Sequence, residues 1–184
     1  MLPEKFVIID TEYGDEDVAA KQEKCACLLS IGALVVQNME IQREIEYTIK
    51  PLYMDQLTPK IMGLTGLTPQ HFEEASTAYE PVRQLMGLMR NQYVVSWGHT
   101  DSIKIRYWAN VFEITHSHFK AVDAFSYLLA LDPDVKPRMK NEAERRGFDA
   151  SRQHSALADC HLLFKILEDQ EHNIAEMDGY ELVL

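Results

Sequence analysis

Two carboxylates follow the first apolar run of the chain, and their spacing lets them act together. Asp10 and Glu12 come directly after Phe6–Ile9, a run that is too short for a helix with a buried face and typical of a strand. Because side chains alternate along an extended chain, both carboxylates project to the same side. Burying such a pair is costly, and a divalent cation removes that cost. The same spacing is equally typical of a strand that runs into an acidic surface loop.

A second group of reactive residues lies much later in the chain. Asp101 stands where a predicted strand over 93–97 gives way to a helix, the usual place for ligand chemistry in α/β sheets. His154 precedes the last predicted helix, and Asp159 lies within that helix. Carboxylate oxygens are hard ligands that suit Mg²⁺ or Mn²⁺ better than Zn²⁺. The acids therefore predict a site for one of these two metals.

The first half of the chain is predicted to supply antiparallel strands. Strands over Phe6–Ile9, Leu28–Val36 and Ile41–Lys50 are expected to form a three-stranded antiparallel meander, with an acidic loop at 12–24 between the first strand and the second. Gly32 in the second strand indicates close backbone packing. The third strand is expected to bury one face of alternating residues, namely Ile41, Ile45, Tyr47 and Ile49.

The second half is predicted to alternate helices with parallel strands. Residues 55–68 are expected to be a loop, and Thr68–Pro69 to begin a helix towards Ala75. Strands are expected at 93–97 and 121–123, where right-handed crossovers would make them parallel. Further helices are predicted from Tyr79, over 102–112, over 125–131, over 136–146 and from about Ser155. These elements predict an α/β domain with a mixed sheet.

Composition limits the classes of protein to which the chain can belong. Its 184 residues suffice for a single domain over 1–184, with a core over about 4–172 and a C-terminal extension over 173–184. Three cysteines, no visible signal peptide and no apolar stretch of membrane-spanning length predict a cytoplasmic protein that contacts no membrane. The net charge of −11 argues against a broad basic face for long duplex nucleic acid. Monomer and homodimer both remain open.

The order of the motifs resembles that of the DEDD exonucleases of the RNase H-like superfamily, in the branch with a histidine base (DEDDh). That family has Asp-x-Glu after the first strand, a distant Asp at a strand–helix turn, and His-x-x-x-x-Asp leading into the last long helix. This chain has Asp10-Thr11-Glu12, Asp101 and His154-Ser155-Ala156-Leu157-Ala158-Asp159. The segment 63–68 resembles the substrate loop of the family. The segment 96–98 is most similar to the branch that contains the eukaryotic histone-mRNA three-prime exonuclease.

The resemblance implies an RNase H-like mixed β-sheet flanked by α-helices, and a site with two metal ions. By resemblance, Asp10, Glu12 and Asp159 would hold one Mg²⁺ or Mn²⁺ ion. Asp101 would support a second ion, and His154 would act as the general base on the attacking water. A base with a pKa near ~6.5 can take that proton at neutral pH.

Six further residues are predicted to contact the substrate: Thr11, Leu64, Thr65, Leu67, Trp97 and His99. Several of these predictions have a structural alternative. Leu64 and Leu67 are interpreted either as wedges that stack on bases or as anchors of their own loop. Trp97 either stacks on a base or is buried in the core. His99 either touches the substrate or only forms the turn before Asp101.

These features favour an exonuclease over two other classes of protein. The leading hypothesis is a metal-dependent 3′→5′ exonuclease that acts on single-stranded 3′ ends of RNA or DNA and releases nucleoside 5′-monophosphates. A non-catalytic RNase H-like module that binds oligonucleotides or a protein is disfavoured because all five reactive positions are filled. A zinc hydrolase is disfavoured because the ligands are hard. The acidic run 15–17 is expected to repel phosphates beside the site. The rest of the bound nucleic-acid strand is therefore predicted to leave the site past the basic region 136–152.

Overall fold

Within residues 3–114, 118–151, 155–170 and 180–181, which a computed structural model of the chain describes, six strands form one sheet. They are β1 (Lys5–Tyr13), β2 (Leu28–Gln37), β3 (Glu40–Thr48), β4 (Tyr93–Ser96), β5 (Lys120–Asp123) and β6 (Tyr180–Glu181), in the spatial order β3-β2-β1-β4-β5-β6. The first three strands pair antiparallel, β4 and β5 extend the sheet in parallel, and β6 is antiparallel to β5. The predicted α/β fold with a mixed sheet is confirmed.

Helices cover both faces of this sheet. Those in the described part of the chain are α1 (Glu16–Lys21), α2 (Pro59–Thr65), α3 (Tyr79–Met89), α4 (Thr100–Val111), α5 (Ala124–Leu131), α6 (Met139–Arg145) and α7 (Ala156–Gln170). Because side chains of β1 alternate, Phe6 and Ile8 pack with α5, α6 and α7, whereas Val7 and Ile9 pack with α3 and α4. The strand is buried on both faces, which explains its continuous apolar run. None of these helices is long and apolar enough to cross a membrane.

A β-bulge in β3 changes the face on which one predicted core residue lies. Gln42 is unopposed, because its neighbours Ile41 and Arg43 pair with adjacent residues of β2. Ile41 consequently packs on the face that α7 covers, whereas Ile45 packs on the face that α3 covers. The prediction of one alternating face from residue 41 to residue 49 is therefore wrong, because strand pairing inserts a residue that the local pattern does not reveal.

The segment 55–68, predicted as a loop, contains helix α2. Thr58 caps the helix by accepting a hydrogen bond from the backbone N–H of Ile61 at 3.4 Å, and Pro59 stands in the first turn. Gly66 ends the helix in the left-handed conformation, with φ of +70°. The loop prediction is wrong because it gave the glycines more weight than the Thr-Pro start signal.

The same signal at Thr68–Pro69 is followed by much less helix than predicted. Only a 3-10 turn over Pro69–Phe72 forms, and it does not extend to Ala75. Ser76 instead pairs with Ile49 in an isolated parallel bridge. This contact draws the chain back to the sheet, which ends the helix early.

Candidate active site

β1 and α7 bring three of the predicted carboxylates together. The ligand oxygens of Asp10, Glu12 and Asp159 all lie within 4.8 Å of one another. Asp10 and Glu12 come from the end of β1, and Asp159 comes from the first turn of α7. Three carboxylates at this spacing are a donor set that fits a hard divalent cation.

Close contact between β2 and α7 sets the position of Asp159. Gly32 is the register partner of Asp10 on β2. A Cβ atom on Gly32 would lie only 2.2 Å from the carbonyl carbon of Ala156, the first residue of α7. The predicted close packing at Gly32 is therefore confirmed, and it places the start of α7 directly over the strand beside Asp10.

Asp101 joins the cluster from α4. It lies in the first turn of that helix and is buried, with 8 % of its surface exposed. Thr11, also buried, donates a hydrogen bond from its hydroxyl to Oδ1 of Asp101. The side chain of Thr11 thus lies on the α4 side of β1 and holds a carboxylate in place, and its predicted contact with substrate stays a prediction.

Burial raises the pKa values of three carboxyl groups in the cluster, and repulsion adds to the effect at Asp10 and Glu12. Burial raises the pKa of Asp10 well above its ordinary value, and the charges of the other three carboxylates raise it further. Burial, followed by repulsion from Asp159 and Asp101, raises the pKa of Glu12 to about 7. Burial also raises the pKa of Asp101 to about 6, against the lowering effect of the hydrogen bond from Thr11. A bound cation would relieve this repulsion, so the electrostatics agree with the donor set in favouring a metal.

The predicted general base, His154, lies outside the described residues. The structure places Ser155 and Ala156 immediately after it, at the start of α7. Its role therefore stays a prediction.

The predicted substrate loop differs from expectation because part of it is α2. Thr65 ends this helix, donating from its hydroxyl to the carbonyl of Ile61 at 2.9 Å and accepting from the backbone N–H of Leu67 at 3.2 Å. Leu67 is half-buried and packs with Phe72 and Ile61 in a small core cluster. Leu64 is 46 % exposed and lines a surface pocket between α1 and α2. Leu67 therefore fits the interpretation of a residue that anchors its own loop, whereas the side chain of Leu64 is exposed and could contact a ligand.

Trp97 and His99 lie in the turn between β4 and α4. Trp97 is half-buried, packs against Phe125 with ring centroids 5.8 Å apart, and donates from its indole N–H to the carbonyl of Pro137 at 3.0 Å. The side chain of His99 is 44 % exposed, with Nε2 lying 3.5 Å from the carboxylate of Asp123. Core packing therefore accounts for much of the Trp97 surface, and His99 remains accessible at the mouth of the turn.

Asp123 is a buried residue of this region that sequence reasoning missed. Its Oδ1 accepts hydrogen bonds from the backbone N–H groups of Gly98 at 2.9 Å and Phe125 at 3.0 Å. It therefore caps α5 and fixes the turn that leads to Asp101. Its position as the last residue of a strand before a helix was the available signal.

The acidic run 15–17 is less repulsive to phosphates than the sequence indicated. Asp15 is buried and caps α1, accepting from the N–H of Asp17 at 3.0 Å. Glu16 forms an ion pair with Lys104, and Asp17 lies 3.8 Å from Lys60. The predicted loop is thus a short helix whose exposed acids face lysines from α4 and α2, partners that are distant in sequence.

The basic region 136–152 is likewise less available than the sequence indicated. Arg145 and Arg146 both donate to Glu142, which is completely buried. Arg145 also pairs with Asp132, and Arg146 with Asp169. These two guanidinium groups tie α6 to its neighbours, so they contribute little free positive charge to a path for a nucleic-acid strand. Lys136, Arg138 and Lys140 remain exposed.

Comparison with solved structures supports the fold at low sequence identity. The nuclease domain of 3′hExo, a DEDDh family member bound to rAMP, superposes with a TM-score of 0.77 and 17 % identity, covering 97 % of this chain and 96 % of that one. A 3′-exonuclease that recognises the 3′ end of the histone mRNA stem-loop gives 0.72 and 16 %, over 97 % and 86 % of the two chains. Exonuclease X in complex with 5′ overhanging duplex DNA gives 0.63 and 16 %, over 94 % and 96 %.

Family comparison extends this similarity to the sequence. No match was found among curated protein sequences. The model of the RNase T exonuclease family, by contrast, matches residues 7–167, which span the whole interval from β1 to α7. The resemblance drawn from the sequence motifs is thereby confirmed, and the chain belongs to the RNase T exonuclease family.

Proposed function

We propose that this exonuclease is a metal-dependent 3′→5′ enzyme that hydrolyses the terminal phosphodiester bond at single-stranded 3′ ends of RNA or DNA and releases nucleoside 5′-monophosphates. The observation that carries the proposal is the convergence of Asp10, Glu12 and Asp159 within 4.8 Å, with Asp101 buried beside them. Membership of an exonuclease family disfavours the alternative of a non-catalytic binding module.

Two divalent cations, Mg²⁺ or Mn²⁺, fit the proposed centre. Asp10, Glu12 and Asp159 would hold one of them, and Asp101 would support the other. When bound, such a pair stabilises the attacking and leaving oxygens of an in-line phosphoryl displacement. Four carboxylates supply the negative charge that balances two divalent ions, and the raised pKa of Glu12 indicates that this charge is unfavourable without them.

The residues around the centre have distinct tasks in this proposal. Thr11 holds Asp101 through its hydroxyl, and the Gly32 contact holds Asp159 over β1. His154 would accept the proton of the attacking water, the usual task of a histidine with a pKa near neutrality. Thr11 and Gly32 position carboxylates, whereas His154 would move a proton. Substitutions at these residues should therefore affect turnover in different ways.

We propose that the 3′ end of the nucleic-acid substrate enters beside α2. The pocket between α1 and α2 has a volume of about 280 Å³ and is lined by Tyr13 and Leu64, among others. Leu64 is the residue of the predicted loop that is open enough to stack on a base. One similar structure holds rAMP and another recognises an RNA 3′ end, which supports a substrate of this class. The net charge of −11 favours contact with a short length of single-stranded nucleic acid over binding of a long duplex.

We further propose that residues 1–184 act as one exonuclease domain in the cytoplasm. The family match over 7–167 supports a single domain. Cys25, Cys27 and Cys160 are all unpaired thiols, which suits a reducing compartment.

The test is a hydrolysis assay on 5′-labelled RNA and DNA oligonucleotides in Mg²⁺, in Mn²⁺ and in EDTA. We expect stepwise shortening from the 3′ end and nucleoside 5′-monophosphates as products, with no reaction in EDTA. Asp10→Asn should abolish hydrolysis, and Asp134→Asn, which changes an exposed acid in the loop between α5 and α6, should not. Undiminished hydrolysis by Asp10→Asn, or in excess EDTA, would contradict the proposal.

A further inference from the structure

A cavity separate from the carboxylate cluster lies between α1, the segment 24–26 and α4. Its volume is about 360 Å³, which falls within the range of pockets for small ligands. The four carboxylates of the proposed metal centre are not among the described residues that line it. The cavity therefore needs an explanation other than the hydrolytic site.

Apolar and aromatic side chains form most of its lining. Ile103 is 55 % exposed and Tyr107 43 % exposed, one turn apart on α4, and Trp108 lies beside them. Large apolar side chains that are exposed inside a concavity are typical of ligand sites. Aromatic side chains favour stacked or edge contacts with planar rings. Small residues leave room for such a ring, namely Ala19, Ala20 and Ala26.

The charged residues of the lining favour an anion. They are Lys24, Lys104 and Glu16. Glu16 is paired with Lys104. The ammonium of Lys24 lies 3.6 Å from the centroid of the neutral ring of Tyr53, and no carboxylate among the described residues forms an ion pair with it. Because Glu16 and Lys104 neutralise each other, Lys24 leaves the lining with one net positive charge, which makes the cavity attractive to an anionic group.

We infer that this cavity binds a ligand that joins a planar aromatic ring to an anionic group, of the class of a free nucleoside 5′-monophosphate. The base would lie against Tyr107 and the floor formed by the three alanines, and the phosphate would contact Lys24. The choice of a nucleotide rests on the proposed function, because hydrolysis would release this class of molecule. The protein would then bind its own product at a second place, which none of the four carboxylates lines.

Cys25 gives a direct measure of occupancy, because it lines the cavity and is exposed. Cys27 and Cys160 are buried and serve as internal controls in the same molecule. Iodoacetamide alkylation of Cys25 is followed by mass spectrometry in the Asp10→Asn variant with EDTA, where hydrolysis is absent. 5′-AMP at millimolar concentration should slow this alkylation several-fold and saturably. Adenosine and ribose 5-phosphate should each protect less, because each lacks one of the two recognised groups.

Two tryptophan substitutions make the test specific. Ala20→Trp fills the cavity and should remove the protection by AMP, measured against the same variant without nucleotide. Ala130→Trp changes an exposed alanine on α5 and should leave the protection intact. Absence of protection in the parent protein, or protection that persists in Ala20→Trp, would overturn the inference. Equal protection by tetraadenylate would replace the free nucleotide with a strand end as the ligand. Because the readout is thiol alkylation, its failure leaves the proposed hydrolysis untouched.

Discussion

Gly32 on β2 and Ala156 on α7 are in direct backbone contact, so close that a Cβ atom on Gly32 would lie 2.2 Å from the carbonyl carbon of Ala156. Gly32 pairs with Asp10 in the sheet, and Asp159 lies in the same first turn of α7 as Ala156. Through the pairing of β2 with β1, this one contact sets the separation between β1, which carries Asp10 and Glu12, and α7, which carries Asp159.

Gly32→Ala should impair both stability and hydrolysis. The added methyl meets backbone atoms, which cannot rotate away, so we expect a loss of roughly 1–3 kcal/mol or more in the free energy of unfolding. A displacement of α7 by about 1 Å would misplace Asp159 and lower turnover on the order of 10²-fold. Urea unfolding and kcat measure the two effects. Gly87→Ala in α3 is the matched control, because nothing lies within 4 Å of its added Cβ, and it should not destabilise the fold.

Thr11→Val should lower turnover without unfolding the protein. It keeps the shape of the side chain but removes the hydroxyl that donates to Asp101. A hydrogen bond to a charged group contributes about 1.5–3 kcal/mol, which corresponds to roughly 10–100-fold in kcat if the bond positions Asp101. Because this bond lowers the pKa of Asp101, the pH–rate profile of the variant should shift to higher pH. Thr11→Ser keeps a hydroxyl and should restore most of the activity. Equal activity of the Val and Ser variants would exclude this positioning role.

Without metal, the protein should lose stability as the pH rises from about 4.5 to about 7. The pKa of Glu12 is raised in the folded state from 4.5 to about 7, so its protonated form is favoured by folding, and this contribution is lost as Glu12 ionises. A difference of this size corresponds to about 3 kcal/mol at 1.36 kcal/mol per pKa unit. Melting temperatures in EDTA across this range provide the measurement. Glu12→Gln should make the decline less steep and leave the part that Asp10 and Asp101 contribute, and excess Mg²⁺ should reduce the decline in the wild type. A decline as steep in Glu12→Gln as in the wild type would contradict this account.

Sequence patterns were sufficient to predict the central sheet and the carboxylates, because both depend on short-range signals. The apolar run before Asp10 and the alternation to Glu12 are local properties, and the structure brings Asp159 to them. Positions that depend on distant partners could not be predicted in this way. Gln56 is completely buried, and its amide oxygen accepts from the backbone N–H of Cys27 at 2.7 Å, 29 residues away. Nothing in the sequence around a polar residue in a predicted loop indicates such a partner.

Charge patterns were the least informative part of the sequence. The sequence predicts a negatively charged surface at 15–17 and a positively charged surface around 145–146. In the fold, ion pairs neutralise many of these charges. A net charge counts residues and does not reveal which charges already face a partner. The direction in which a bound strand leaves the site therefore could not be predicted from composition.

Glu142→Ala should destabilise the protein strongly. Although burial alone would raise it, hydrogen bonds from Arg145, the backbone of Lys136 and Arg146 lower the pKa of Glu142 to about 2. Removing this carboxylate takes one partner from each guanidinium group while Asp132 and Asp169 still pair with them, so we expect a loss of at least about 1.5–3 kcal/mol, the contribution of a hydrogen bond to a charged group. Urea unfolding provides the measurement. Glu144→Ala changes an exposed acid on the same helix and should alter stability by less than about 0.5 kcal/mol. Similar effects for the two variants would show that the network contributes little.

Titration with Mn²⁺, in which electron paramagnetic resonance follows the signal of the free ion, tests the metal centre most directly. The wild type should remove Mn²⁺ from solution at neutral pH, and Asp159→Asn should bind it much more weakly, because it removes one of three carboxylates that lie within 4.8 Å. Asp169→Asn, an exposed acid on the same helix, should bind as the wild type does. His154→Ala should also keep the binding while turnover falls roughly 10²–10⁴-fold. Failure of the wild type to bind Mn²⁺, or unchanged binding by Asp159→Asn, would contradict the assignment of these carboxylates as a metal centre.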